Sequence, residues 1–111
     1  RAQAYIEAGA SAIMIHSKSS DGEEIKAFTS AYNNFINRKP LLLVPTTYNK
    51  VSESELASWG ANVIIYANHL LRAAYPAMER TALTILENNR AFEAEEFVTP
   101  IEDFFTITAT L

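Results

Sequence analysis

Three short apolar runs alternate along the chain with longer segments whose apolar residues recur at helical spacing. The runs lack alternation between polar and apolar residues, which is typical of parallel strands that are buried on both faces. Strands that alternate with helices favour an α/β fold built on a parallel sheet. The predicted strands span about 12–16, 41–44 and 62–66.

The segments between the runs carry the end signals of helices. Asp21 and Gly22 precede two acidic residues, and an apolar face that includes Ile25 follows them. Acidic side chains in the first turn interact favourably with the positive end of the helix dipole, so they indicate that a helix begins here. Ser52, with Glu55 three residues further on, predicts a capping box at the start of a second, shorter helix.

A long helix is predicted at about 70–88, followed by an acidic, irregular stretch and a last short helix at about 100–105. Pro76 should kink the long helix or delay its start, because proline lacks the N–H and clashes with the preceding turn. The inward face is expected to comprise Leu71, Ala74, Tyr75, Met78, Ala82, Ile85 and Leu86.

Composition narrows the class of protein. The 111 residues are 49% hydrophobic and 20% charged, which suits one soluble globular domain. The absence of cysteine excludes disulfides, thiolate metal ligands and thiol nucleophiles. No stretch has the apolar length of a membrane span and no signal pattern opens the chain, so we expect a cytoplasmic protein without a membrane partner. The net charge of -4 and the scattered basic residues argue against a nucleic-acid partner.

The strand count bears on the architecture. Three parallel strands cannot close a barrel, yet their spacing fits a (β/α)8 barrel of about 250 residues. We therefore predict that residues 1–111 are the C-terminal portion of a single barrel domain, namely the last three βα units of a TIM-type barrel, which by themselves form an incomplete barrel. The alternative is a complete small α/β domain with a three-stranded sheet.

Polar side chains follow each predicted strand, where α/β proteins bind small molecules. His16 comes directly after the first strand, with Ser17 and Ser19 around the cation of Lys18. Imidazole, hydroxyls and an ammonium together suit an anionic oxyacid. The alternative is a structural histidine that binds a neighbouring loop carbonyl.

The other two strand ends offer further candidates. Thr46 and Thr47 supply hydroxyls and backbone N–H groups after the second strand, although one threonine more simply turns the chain. Asn68 follows the third strand, where an N-cap for the long helix is the favoured alternative. His69 is expected to pack on a loop. No spacing of His or acidic residues predicts a metal site within these residues.

Three motifs at these strand ends resemble the phosphoenolpyruvate phosphomutase family, within the isocitrate lyase superfamily. They are Ala12-Ile13-Met14-Ile15-His16-Ser17-Lys18-Ser19, Val44-Pro45-Thr46-Thr47-Tyr48-Asn49-Lys50 and Ile65-Tyr66-Ala67-Asn68-His69-Leu70-Leu71-Arg72-Ala73. The resemblance extends from Ala2 to about Phe105 and corresponds to the last three βα units of the family's barrel.

The resemblance implies an isomerase that interconverts phosphoenolpyruvate and phosphonopyruvate in phosphonate biosynthesis and that uses Mg²⁺. By motif, His16 would contact the phosphoryl group, and Ser17, Ser19 and Thr46 would line or support the pocket. Thr47 and Asn68 are further rim candidates. The Mg²⁺ ligands and the gating loop are expected upstream, so the 111 residues alone should be inactive.

The resemblance also implies a homo-oligomer, a dimer or a tetramer, because the family packs its terminal helices between subunits. Phosphonopyruvate hydrolase, a member of the same superfamily, is the alternative activity. Tyr48-Asn49-Lys50 resembles the mutase more than the hydrolase. A small α/β interaction domain without catalytic activity is the alternative from another class.

Overall fold

The computed structural model describes residues 1–109, and the chain divides into two compact units, residues 1–68 and the residues from His69 onward. The first unit alternates helices and strands: α1 (Ala2–Glu7), β1 (Ile13–Ile15), α2 (Glu23–Tyr32), β2 (Leu41–Leu43), α3 (Glu53–Ser58) and β3 (Val63–Ile64). The second unit contains α4 (His69–Asn88), a 3₁₀ helix (Phe92–Phe97) and α5 (Ile101–Thr108).

The three strands form one parallel sheet in the order β1-β2-β3. Ile15 is in register with Leu43, and Leu43 with Ile64. The predicted α/β fold with a parallel sheet is therefore confirmed. Each strand is shorter than its apolar run, because hydrogen-bonded pairing covers only two or three residues of each.

One face of the sheet carries the core of the first unit. Apolar residues of the strands pack there against residues of α1, α2 and α3 and the loop after β2, in a cluster of Ile6, Ile13, Ile25, Tyr32, Leu41, Leu43, Tyr48 and Leu56. Complete burial of such side chains contributes about 1.5–3 kcal/mol each. This cluster is what ties the helices to the sheet.

The opposite face of the sheet is more open, which corrects the prediction of strands buried on both faces. Met14, Leu42 and Val63 are in register with one another and so lie on this face. Met14 is 64% exposed and Val63 is 45% exposed, whereas Leu42 is half-buried. The core cluster packs on the other row of strand side chains, so the two faces differ.

The second unit departs from prediction along α4. The expected inward face is exposed: no residue of α4 is buried, and Leu86 is 72% exposed. The physical reason is that, within this unit, α4 packs mainly on the 3₁₀ helix and the segment that leads into α5. There they border an apolar groove of Ala77, Met78, Thr81, Ala82, Ile85, Phe97, Val98, Thr99 and Phe104.

Pro76 lies inside α4, which already begins at His69, so the proline does not delay the helix start.

A cation–π contact is present in the second unit. The guanidinium of Arg80 lies 3.9 Å from the ring centroid of Phe97, within the range of such a contact. This contact joins α4 to the 3₁₀ helix.

The chain turns after α3 at a glycine that the fold requires. Gly60 has φ +109°, and a Cβ atom there would lie 2.6 Å from Oδ1 of Asn33. Asn33, at the end of α2, donates from Nδ2 to the Trp59 carbonyl oxygen at 2.9 Å. The side-chain amide of Asn33 therefore links the C-terminal ends of α2 and α3, and only a glycine at position 60 leaves room for this amide.

The sequence predicts a capping box at Ser52, and the structure confirms it. The backbone N–H of Glu55 donates to Ser52 Oγ at 3.3 Å, and the backbone N–H of Ser52 donates to Glu55 Oε2 at 2.9 Å. The Ser52 backbone N–H and then its hydroxyl lower the pKa of Glu55, with a further contribution from the charge of Lys26. Ionised Glu55 is therefore favoured in the folded state.

We predict that Gly60→Ala destabilises the full-length protein more than Gly9→Ala does. Both glycines have positive φ, which costs a non-glycine residue about 1–2 kcal/mol, but a Cβ at Gly9 meets no atom within 4 Å. Alanine at position 60 must in addition displace Asn33. Thermal unfolding of both variants measures the difference, and equal shifts in Tm would contradict the role of Asn33.

We predict that the stabilising effect of Glu55 disappears in acid. Because folding lowers the pKa of Glu55, its contribution is complete above the carboxyl's unfolded pKa of 4.5 and is lost as the pH falls through the lower folded value. The Tm difference between the parent protein and Glu55→Gln should shrink over that range. A difference that stays constant from pH 7 to pH 3 would contradict the assignment.

Candidate active site at the carboxyl edge of the sheet

Parallel pairing places the ends of the three strands at one edge of the sheet. Ile15, Leu43 and Ile64 are cross-strand partners, so the loops that follow them begin side by side. These loops carry His16, Thr46 and Asn68 respectively. The structure thus brings the predicted site residues to a common edge, although they come from three separate parts of the sequence.

The loop after β1 is fixed by side-chain hydrogen bonds to the start of α2. Ser17 is 5% exposed, and its Oγ donates to Glu24 Oε2 at 2.5 Å. The backbone N–H of Ser19 donates to Ser17 Oγ at 3.0 Å, and Ser19 Oγ donates to Asp21 Oδ1 at 2.7 Å. The hydroxyls on either side of Lys18 thus each donate a hydrogen bond to one carboxylate.

Asp21 has a second role at the helix start. Its Oδ1 also accepts the backbone N–H of Glu23 at 3.0 Å. The Ser19 hydroxyl and then the Glu23 N–H lower the pKa of Asp21. Hydrogen bonds to a carboxylate favour its charged form, so Asp21 remains ionised while it joins the loop to α2.

The side chains on either side of Ser17 are exposed. His16 and Lys18 form no hydrogen bond with any described residue, whereas Ser17 between them is buried. The loop therefore presents an imidazole and an ammonium to solvent. This ammonium is among the groups that the sequence predicted to suit an anion, and Lys18 is exposed two residues after His16.

The loop after β2 forms a tight turn. The backbone N–H of Thr46 donates to the Val44 carbonyl oxygen at 2.8 Å, so this N–H, expected to be available at the rim, is occupied by the turn. The side chains of Thr46 and Thr47 are half-buried. Tyr48, the next residue, is fully buried. This burial raises the pKa of Tyr48, and the backbone of Val44 acts in the opposite direction.

The end of β3 contributes one amide. Asn68 is half-buried, and its Oδ1 is shielded from solvent without accepting a hydrogen bond from residues 1–109. The N-cap expected of Asn68 needs this oxygen to accept a backbone N–H, so that cap is not formed. Nearby in the chain, Tyr66 donates to Glu53 Oε1 at 2.8 Å, and this bond raises the pKa of Tyr66.

A concave surface lies beside β1 within the first unit. The residues that border it are Arg1, Ala2, Tyr5, Ile13, Met14, Ile15, His16, Ser17, Glu24, Ile25 and Phe28. Its lining combines the polar side chains of Arg1, His16, Ser17 and Glu24 with apolar side chains of α1, β1 and α2. Among residues 1–109, no three His or acidic side chains come together as a set of metal ligands. In the same range no helix has both the length and the hydropathy of a membrane span.

Comparison with known proteins gives a consistent result. The family model described as phosphoenolpyruvate phosphomutase matches residues 1–86. The phosphoenolpyruvate phosphomutase of Tetrahymena pyriformis is 38% identical over 107 residues, 96% of this chain and 35% of that protein. The phosphonopyruvate hydrolase of Variovorax sp. is 33% identical over 108 residues, 96% of this chain and 36% of that protein.

Solved structures agree with the sequence comparison. The phosphoenolpyruvate phosphomutase of Streptomyces platensis subsp. rosaceus has a TM-score of 0.81 and 35% identity, over 97% of this chain and 37% of that one. A phosphonopyruvate hydrolase has a TM-score of 0.80 and 32% identity, over 98% of this chain and 38% of that one. The chain spans about a third of the length of the relatives it matches, and it belongs to the phosphoenolpyruvate phosphomutase family.

Proposed function

We propose that the full-length protein containing this chain is a phosphoenolpyruvate phosphomutase, which interconverts phosphoenolpyruvate and phosphonopyruvate. The observation that carries the proposal is the exposed His16 at the carboxyl edge of the sheet, inside the residues that the mutase family model matches. Three curated relatives named phosphoenolpyruvate phosphomutase, at 35–38% identity, support the same activity.

The chemistry moves a phosphoryl group from the enol oxygen to the neighbouring methylene carbon, so a P–O bond breaks while a P–C bond forms. Negative charge on the phosphoryl oxygens must be stabilised during transfer. We assign this role to His16 as a hydrogen-bond donor, because a fixed donor stabilises charge that develops in the transition state. Its exposure leaves the ring accessible to an anion.

The other rim residues have supporting roles in this proposal. Ser19, Thr46, Thr47 and Asn68 are all half-buried in the loops that follow the strands. The shielded Oδ1 of Asn68 lacks a partner among the described residues, which suits an acceptor for a group from elsewhere in the protein. Ser17 supports the pocket from below, since it is buried and bonded to Glu24.

Mg²⁺ is the cofactor that the proposed activity implies, and residues 1–109 do not fit it. No set of three His or acidic side chains converges in this range. We therefore place the metal ligands outside the chain and derive no step through the metal. A phosphonopyruvate hydrolase relative has been solved as a complex with oxalate and Mg²⁺, which supports metal dependence for the full-length protein.

We also propose that the full-length protein is a cytoplasmic homo-oligomer, a dimer or a tetramer, that acts on a small-molecule substrate. The exposed apolar residues of α4 and α5, such as Leu71 and Phe105, support the assembly. Net charge of -4 supports the expectation that nucleic acid is not a partner.

Phosphonopyruvate hydrolase is the second candidate activity, because the hydrolase relative matches the same share of the chain with 33% identity. A hydrolase would convert phosphonopyruvate and water to pyruvate and inorganic phosphate. Phosphorus NMR separates the two, since a mutase gives phosphoenolpyruvate instead. A non-catalytic interaction domain would give neither product.

We predict that His16→Ala in the full-length protein lowers turnover about 10²-fold or more, since removal of one transition-state anion donor has an effect of this size. Phosphorus NMR of phosphonopyruvate consumption measures it. Ser30→Ala is the control, because Ser30 is exposed near the opposite end of α2. Unchanged turnover in His16→Ala would make His16 a structural residue.

We predict no turnover from the 111 residues alone, with or without added Mg²⁺, because the described part offers no metal ligands and few anion donors. The assay is phosphorus NMR, with the full-length protein as the positive control. Measurable conversion of phosphonopyruvate by the isolated chain would contradict the proposed division of the site.

A further inference from the structure

The hydrogen bond between Ser17 and Glu24 connects the active-site loop to the helix that follows it. The two residues are seven positions apart, with Ser17 in the loop after β1 and Glu24 in the first turn of α2. Ser17 is 5% exposed whereas Glu24 is exposed, so the bond is buried at the serine and open to solvent at the carboxylate. The bond therefore links the start of the loop to the helix that follows it.

The direction of the hydrogen bonds decides what Ser17 can do. A serine hydroxyl has one proton to donate, and the Glu24 carboxylate, which only accepts, takes it. The Ser17 oxygen in turn accepts the backbone N–H of Ser19 at 3.0 Å. The one proton of the hydroxyl is therefore engaged inside the protein and is not available to a substrate oxygen.

The same bonds fix the neighbours of Ser17. His16 is covalently next to Ser17 and its side chain points to solvent, while Lys18 is exposed on the other side. Hydrogen bonds to a charged group are roughly twice as strong as neutral ones, so the carboxylate holds the loop backbone firmly. A donor that is held in place before the substrate arrives avoids reorganisation in the transition state.

We propose that Glu24 is a positioning residue of the reaction: through the Ser17 hydroxyl it holds the loop so that His16 faces the phosphoryl group. This inference rests on the proposed function, because it requires His16 to contact the substrate. Glu24 itself touches only Ser17 in this role, so its effect on the reaction is indirect.

Glu23 provides a matched control on the same turn. Both residues are acids in the first turn of α2, and both oppose the helix dipole. The carboxylate of Glu23 forms no hydrogen bond within the described part of the chain, whereas that of Glu24 accepts from Ser17. Glu23→Ala therefore removes the same charge from the same turn and leaves the bond from Ser17 to Glu24 intact.

The kinetic test uses the full-length protein with Glu24→Ala, Glu24→Asp and Ser17→Ala. Aspartate keeps the charge but is one methylene too short to reach Ser17. We expect each of the three to lower kcat about 10–100-fold with little change in KM, as a displaced catalytic group does. Glu24→Gln, whose amide oxygen still accepts from Ser17, should recover most of the loss.

Non-additivity separates positioning from general destabilisation. If Glu24 acts through Ser17, the double variant Glu24→Ala/Ser17→Ala should have the kcat of either single variant. Independent losses that multiply in the double variant would overturn the proposal. So would a kcat in Glu24→Asp equal to that of Glu23→Ala. If Glu24→Ala does not fold, Glu24→Asp and Glu24→Gln, which change little volume, carry the same comparison.

A measurement that does not depend on catalysis tests the hydrogen bond between Ser17 and Glu24 directly. Amide hydrogen exchange at Ser19, whose N–H donates to Ser17 Oγ, should quicken in Glu24→Asp and stay unchanged in Glu23→Ala. Unchanged exchange in Glu24→Asp would overturn the inference. A parent protein without turnover whose Ser19 exchange still responds to Glu24→Asp would overturn the proposed function and support that hydrogen bond.

Discussion

Parallel pairing of β1, β2 and β3 is the constraint on which the candidate site depends. A parallel sheet directs every strand the same way, so the loops after Ile15, Leu43 and Ile64 open at one edge. No contact between distant loop side chains is needed to assemble them. The core cluster on one face of the sheet holds the strands and helices in this arrangement, and the polar strand ends follow from it.

The loop after β1 divides its side chains between internal hydrogen bonds and solvent. Its hydroxyls are bonded to acids of the next helix, Ser17 to Glu24 and Ser19 to Asp21. Its imidazole and ammonium are left to solvent. Two carboxylates therefore lie close to a site that we propose for an anion, and each accepts a hydrogen bond from a serine hydroxyl.

Local signals were sufficient for much of the fold. The apolar runs predicted the parallel strands, and Ser52 with Glu55 predicted the capping box. The exposure of Met14 and of the apolar face of α4 was missed, because hydrophobic periodicity shows which residues tend to be buried but not whether a partner covers them. The bond from Ser17 to Glu24 was missed for another reason: it depends on the path of the intervening loop, which residue types alone do not determine.

The packing of Asn33 against Gly60 has a consequence for how this family changes over evolution. The Asn33 amide donates to the Trp59 carbonyl and accepts from Arg38, and it occupies the space that any Cβ at position 60 would need. A larger residue at 60 is compatible only with a smaller or retracted one at 33. Substitutions at these two positions, 27 apart in sequence, should therefore covary among homologues. Such covariation would mark the place where two successive βα units pack against each other.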